Sequence, residues 1–439
     1  MKDISLFDIE MNKKLRNILV SNNIKTLLTL KSYSKEGLLT LHGIGENYIN
    51  EIELLLNNYG LKLNSQGKNL TQRKIKNKAF IETPITVNKT SKVAHYTIMY
   101  KEKEVLSLDI STGSVVIKSK KYLPFRFRGS EKIRADEVIL WISDRVNNIS
   151  RQYMNTVYIA RKVGRDRDAV LRDSCGLSFT DNFWIKVNDV KTTWSELKEK
   201  RDISVNLSKI ALTGKIKNVT DILEGFSSLF ATKGYFPKAV VGGYLVKLKT
   251  DAIFDYVAFL VAKQIGVNCA ESFVDGNVVK IKIFTDENIS LVHASELKLY
   301  LKSDLLYNGL LSYKGKNRDK LIRNMQRAFI FNYIIGNPDF HEDNYGVLYN
   351  SETFELIDIA PCFDHNVAFA ENFDGITRMG NHGDFLNLEE LAERFSANHK
   401  DIAEKLKCVD LSEIGKYLNA ERKKELQNRI SNVIKWANN

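Results

Sequence analysis

The chain has 439 residues, 44 % of them hydrophobic, and a formal net charge of +12. That length buries ample core for two or three units, and its four cysteines (Cys175, Cys269, Cys362, Cys408) show no paired spacing. Neither a zinc ribbon nor a disulfide framework is thereby indicated, and a reducing, cytoplasmic setting is expected. No apolar run approaches the roughly 18 to 20 residues of a membrane span, and MKDISLFDIEMNKKL has no signal-peptide core, so no membrane contact is expected. The positive charge favours a nucleic-acid partner only where lysine and arginine cluster.

From Met1 to about Leu63, Leu15, Ile18 and Leu19 and later Ile49, Ile52 and Leu55 recur at helical spacing, predicting a small all-α unit over residues 1–65. Its turn Leu41-His42-Gly43-Ile44-Gly45 sets backbone amides at the start of the next helix, a geometry that binds phosphate without reading bases. Over residues 66–90 hydrophobics thin while Lys68, Arg73, Lys74, Lys76 and Lys78 accumulate, as in a solvated linker. HYTIMY, VLSLDI and SVVIKS, between His95 and Leu123, read as strands, with Gly113 in the turn between the last two. A second β-rich block covers Pro237 to Lys249 and Asn277 to Phe284, and beyond Tyr300 the chain reads as largely helical. A β-containing half followed by a helical half is a two-lobed α+β plan.

Within the second β block, Gly242-Gly243 reads as a two-residue hairpin turn, so Val241 faces Tyr244 and Lys238 faces Lys247. Like charges so placed repel by roughly a few tenths of a kcal/mol or more, and an anion beside them removes the conflict. Snorkelling from an exposed ribbon is the plainer alternative. Upstream, Thr232-Lys233-Gly234 supplies backbone flexible enough to cover phosphates. Downstream, Asp255 opens the apolar helix DYVAFLVAKQIG, within reach of Lys247.

The stretch Ala328 to Asn366, AFIFNYIIGNPDFHEDNYGVLYNSETFELIDIAPCFDHN, carries the most chemistry. An apolar helix with Ile322, Met325 and Phe329 on one face ends at Gly336, and Pro338 forbids its continuation. After a loop, Tyr345 to Tyr349 and Phe354 to Asp358 form a hairpin around Asn350-Ser351-Glu352-Thr353, and Pro361 turns the chain toward Asp364. The hairpin returns the chain to its start, so Asp339, Asn344 and Asp364 converge. Phosphoryl transfer needs such a set: one carboxylate to accept a hydroxyl proton, and an amide oxygen and a second carboxylate for magnesium. Protein kinases separate catalytic aspartate and metal asparagine by five residues, as Asp339 and Asn344 are separated. His341 is placed to orient Asp339, with a purely structural role beside the apolar helix as the alternative, and Asp358 is the rival to Asp364 for metal. Loop capping explains any one of these residues alone, but not the ordered set.

With these residues in place, roughly Lys92 to Trp436 resembles the HipA-like serine/threonine protein kinases, particularly forms from low-GC bacteria. NPDFHEDN resembles their catalytic loop, implying a catalytic Asp339 with His341 beside it and Asn344 as a metal ligand; CFDHN implies Asp364 as the second. YLVK resembles the strand of the ATP lysine, giving Lys247, and TKGYFPK the phosphate-facing loop, giving Gly234 and Lys238. Asp255 stands where the family has a glutamate, and the shorter acid is expected to reach Lys247 at longer range or through water. GLSFTDNFWIKV, Gly176 to Val187, resembles a segment of these bacterial forms whose chemistry is not evident. The loop serine that some relatives autophosphorylate aligns with Ala231, leaving Thr232, Ser227 and Ser228 as candidates.

The resemblance implies an α+β, two-lobed protein-kinase-like fold, with an N-lobe over 91–284 and a C-lobe over 285–439. It also implies ATP and Mg2+ as cofactors, a protein substrate, and a toxin role opposed by an antitoxin. Ser5 to Leu63 is similar to the C-terminal domain of the bacterial RNA polymerase alpha subunit, a small all-α helix-hairpin-helix domain. Lys14, Arg16, Gly43 and Gly45 are then candidate contacts to DNA or RNA polymerase. Glu46 stands where that domain usually has a lysine, and residues 1–65 hold eight basic against seven acidic residues, so phosphate binding, protein docking and a plain packing module stay open. Two further functions are weighed: a catalytically inactive kinase-fold regulator binding DNA or polymerase through this module, and a kinase acting on a small molecule or nucleic acid. Retention of Asp339, Asn344, Asp364 and Lys247 together disfavours the inactive scaffold.

Overall fold

The computed structural model describes residues 6, 9, 11–12, 15–16, 18–19, 24, 26–39, 44–64, 95–146, 167–187, 191–198, 212, 237–379 and 384–439. The chain divides into two compact units, residues 1–88 and 89–439. The expected linker at 66–90 lies outside the described residues.

In the first unit, α1 (Leu27–Lys31), α2 (Lys35–Leu39) and α3 (Glu46–Asn58) surround a small core. Thr26 caps α1, its hydroxyl accepting the Thr29 N–H at 3.2 Å, and α3 starts from Gly45 in extended backbone. Leu15, Leu19, Ile49, Ile52 and Leu55 are buried together, as their spacing predicts, with Ile18 packed at the margin. Each such side chain contributes about 1.5–3 kcal/mol by burial.

The second unit is a mixed α+β structure. β1 (His95–Tyr100), β2 (Lys103–Asp109) and β3 (Ser114–Ile117) form a meander that β4 (Phe183–Val187) extends in the order β3-β2-β1-β4. Between β3 and β4 lie α4 (Ala135–Asp144) and α5 (Arg167–Ser174), and α6 (Trp194–Lys198) follows. A second sheet, ordered β5-β6-β8-β7, contains β5 (Lys238–Val241), β6 (Tyr244–Leu248), β7 (Ser272–Asp275) and β8 (Val278–Lys282). β7 has no strong sequence signal, because SFVD is short and only Ser272 in it is buried.

α7 (Lys249–Ile265) packs on this sheet and corrects one expectation. Asp255 does not open the helix; it lies in the second turn. The first turn forms on polar residues because Asp251 suits a helix N-terminus and the Lys249 N–H is held by the Asn277 carbonyl at 2.8 Å.

β9 (Ile289–His293), α8 (Ala294–Tyr300), α9 (Leu306–Ser312) and α10 (Arg318–Ile334) follow, then β10 (Gly346–Asn350) and β11 (Leu356–Ile359), in a sheet ordered β11-β10-β9. The expected β10–β11 hairpin forms, but its second strand starts two residues later than Phe354. Phe354 takes a left-handed φ of 60° and stacks its ring on Tyr349 at 5.1 Å. β12 (Ile376–Met379) pairs with β13 (Asp384–Asn387), a ribbon the helical reading of this half does not foresee, and α11 (Leu388–Ser396), α12 (Lys400–Leu406) and α13 (Ala420–Asn438) complete the unit. α10 buries Leu321, Met325, Ala328 and Phe329 on one face, with Ile322 only half-buried at its edge, and is enclosed all round from Ile330 to Ile334. One apolar cluster runs from Tyr96 through this helix to Val433.

Cys269 and Cys362, far apart in sequence, face each other across an isolated parallel bridge, and burial pushes the Cys362 thiol up to about 12. Among the described residues, no helix is long and apolar enough to cross a membrane.

Candidate active site

Gly242 and Gly243 both take positive φ, 56° and 78°, the conformation a tight two-residue hairpin turn requires. The resulting register pairs Val241 with Tyr244 and Lys238 with Lys247. Neither lysine snorkels: Lys238 is 5 % exposed and Lys247 1 %. The Lys247 ammonium lies 2.9 Å from Asp255 Oδ2 and 2.7 Å from Asp364 Oδ1. The aspartate in the second turn of α7 thus reaches the lysine directly, contrary to the longer or water-mediated contact expected of the shorter acid. Its other oxygen, Oδ1, accepts the His365 N–H at 2.6 Å. One buried carboxylate therefore ties β6 to the segment that carries Asp364. Burial works against the charge of Lys247, yet Asp255 and Asp364 more than offset it and raise its pKa above the ordinary lysine value. Burial also opposes ionisation of Asp364, while Lys247 and then Lys238 hold it well below the usual carboxylate range.

The opposite side of the site is a loop braced at every turn. α10 ends as Gly336 enters left-handed backbone at φ 56°, and Arg429 covers that end, its Nε donating to the Ile334 carbonyl at 3.0 Å. Asn337 is fully buried; its amide donates to Asn332 Oδ1 at 2.9 Å and its oxygen accepts the Asp339 N–H at 3.1 Å. Thr377 holds the Pro338 carbonyl at 2.9 Å. These contacts leave the Asp339 side chain 46 % exposed at the mouth of the loop. The Asn344 amide nitrogen donates to the Asp339 backbone oxygen at 2.8 Å and to its Oδ2 at 3.1 Å, so its oxygen is the end left for a cation. His341 Nδ1 accepts the Asp343 N–H at 3.2 Å, which puts the neutral ring's proton on Nε2, 3.6 Å from Asp339 Oδ1. That separation is an electrostatic contact rather than a hydrogen bond.

A cavity of about 350 Å³ brings Lys238, Lys247, Asp339, His341, Asn344 and Asp364 together. Asp255 stands behind Lys247, outside the lining. Asp358 is turned elsewhere, held by Asn324 at 2.6 Å and Lys320 at 2.9 Å. Leu245 and Ile281 from the β5–β8 sheet, with Phe284 and Phe363, give the cavity an apolar end. Sequence reasoning missed this end; the alternation in VVKIKIF and the Phe363 flanking Asp364 were its available signals. Gly234, Thr232, Ser227 and Ser228 lie outside the described residues. In the first unit Lys14 and Gly43 do as well, while Gly45 precedes α3 and Arg16 turns part of its guanidinium inward, Nη2 donating to the Ile9 carbonyl at 2.7 Å.

No family model matches the chain, and no curated protein matches it. Among solved structures it is similar to a Helicobacter pylori proinflammatory kinase, CtkA, at 19 % identity and a TM-score of 0.35, over 46 % of this chain and 91 % of that one. It is also similar to a chain in the Shewanella oneidensis MR-1 complex of the toxin–antitoxin system HipA and HipB with operator DNA, at 13 % identity and a TM-score of 0.48, over 78 % of this chain and 96 % of that one. Likeness at these TM-scores adds nothing to the geometry of the site itself.

Proposed function

We propose that the chain is an ATP- and magnesium-dependent phosphotransferase of the HipA-like kinase kind, transferring the γ-phosphoryl group to a serine or threonine hydroxyl of a protein. The observation that carries this reading is the buried Lys247, clamped between Asp255 and Asp364 on the wall of the cavity that also receives Asp339 and Asn344. A lysine this deep needs its two carboxylates to remain charged, and with Lys238 it gives the cavity wall two ammonium groups that phosphate oxygens can contact. Phosphoryl transfer is largely a matter of positioning and charge stabilisation, which a preformed clamp supplies without reorganisation.

Lys247 and Lys238 attract and orient the phosphates. Asp339, exposed at the loop mouth and steadied by Asn344, orients the acceptor hydroxyl and takes its proton, a contribution of roughly 10² to 10⁴ in rate. The Asp364 carboxylate and the Asn344 oxygen are hard donors of the kind magnesium prefers, and bound magnesium would offset the phosphate charge. The apolar end formed by Leu245, Ile281, Phe284 and Phe363 suits a nucleobase. The test is intact-mass analysis after incubation with ATP and magnesium, with and without bacterial lysate proteins. The reading expects one or more added phosphoryl groups on this chain or a lysate protein, and no addition on any protein would contradict it.

A further inference from the structure

The segment Gly176 to Asp181, opening the GLSFTDNFWIKV stretch, is not used by the reading above, yet Ser178, Phe179, Thr180 and Asp181 line the same cavity as Asp339 and Asp364. Two bonds stitch it to the far end of that cavity. Thr285 Oγ1 donates to the Phe179 carbonyl at 2.5 Å, and the Leu291 N–H to the Thr180 carbonyl at 2.7 Å. Distance along the strands identifies which end this is. Lys247 pairs with Val279 and Tyr244 with Lys282, so the end of β8 lies three residues, about 10 Å, from the lysine, and Thr285 lies beyond it. That is the span from the phosphates of a nucleotide to its nucleoside.

The segment is also held rigidly. Arg145, its side chain 10 % exposed, donates to both Asp181 oxygens at 2.9 Å, to the Gly176 carbonyl at 2.8 Å and to the Phe183 carbonyl at 2.9 Å. Its guanidinium lies 4.8 Å over the Trp141 ring. Gly176 takes φ 59°, and a Cβ there would come within 2.7 Å of Ile185. With the Phe179 and Thr180 carbonyls already bonded, the Ser178 and Thr180 hydroxyls lie 2.7 Å apart in a segment that lines the cavity.

We infer that Gly176–Asp181 is the nucleoside-end wall of the nucleotide site: the Ser178–Thr180 hydroxyl pair and Phe179 contact the sugar and base, and Arg145 with Asp181 are positioning residues for them. This rests on the phosphotransferase reading and adds which residues select the nucleoside.

Thr180→Val, near-isosteric, and Asp181→Asn in the full chain test it, with ATP turnover and competition by ADP and by magnesium tripolyphosphate, which has phosphates but no nucleoside. KM for ATP should rise about tenfold, as for loss of one good polar contact, with kcat unchanged. ADP inhibition should weaken to match, and tripolyphosphate inhibition should not change. Thr180→Val carries the test should Asp181→Asn fail to fold. Folded variants that match wild type for ATP and ADP, or that weaken tripolyphosphate as much as ADP, would overturn the inference alone. Wild-type protein that binds neither ATP nor ADP would overturn the phosphotransferase reading and this inference with it.

Discussion

At Lys247 the site depends on charge balance. Desolvating an ammonium costs several kcal/mol, and only the pair of carboxylates at 2.9 and 2.7 Å makes the position tolerable. Asp255→Ala removes the fully buried partner and also orphans the His365 N–H, so it should destabilise the second unit by about 3–5 kcal/mol, read as a shift in the denaturation midpoint. An unchanged midpoint would mean that the clamp is not stabilising. His365, next to the clamp, is buried, and burial lowers its pKa from 6.5 to about 4. The folded state therefore binds fewer protons than the unfolded one between these values. The stability this group contributes is complete above about pH 6.5 and is lost as pH falls through about 4. His365→Phe should flatten the fall in stability over that window by up to about 3 kcal/mol. A variant with the wild-type pH slope would show that His365 does not take up the proton. Asp364, depressed by Lys247 and Lys238, has the same sign, its contribution present above the ordinary carboxylate range and lost only at lower pH.

Among the elements, those governed by short-range counting were legible in the sequence. Two consecutive glycines between strand-like runs leave one register, so the Lys238–Lys247 pairing follows from the turn. The Gly336–Pro338 stop and the five-residue spacing from Asp339 to Asn344 are equally local. What tertiary packing decides was not legible. Arg145 and Asp181 are 36 residues apart and meet only because β4 joins β1, and Cys269 meets Cys362 only where two loops cross. The start of α7 is not legible because its first turn is polar and is secured by a backbone bond to Asn277 in the turn between β7 and β8, not by its own apolar pattern. Gly336 gives the sharpest test at this scale. A Cβ at φ 56° is strained and would lie 2.8 Å from the Arg429 guanidinium, so Gly336→Ala should cost about 1–2 kcal/mol and displace the Asp339 loop. Its thermal midpoint and its kcat should therefore fall together. A fall in the midpoint with full activity would show that the helix end does not position the loop.

For the whole molecule, two units that each close their own core should be separable. A chain beginning near Thr86 should fold with native secondary structure by circular dichroism and bind ATP as the full chain does. A folded truncation that no longer binds ATP would assign the first unit a part in the nucleotide site. In the second unit Lys247 of the clamp and the Asp339 loop line one cavity, the proposed phosphotransfer site. Transfer of labelled phosphate from ATP to protein, compared between wild type and Asp339→Asn with ATP affinity measured for both, tests it most directly. The predicted result is unchanged ATP binding with transfer reduced by roughly 10² to 10⁴. Transfer near the wild-type rate by Asp339→Asn would contradict it.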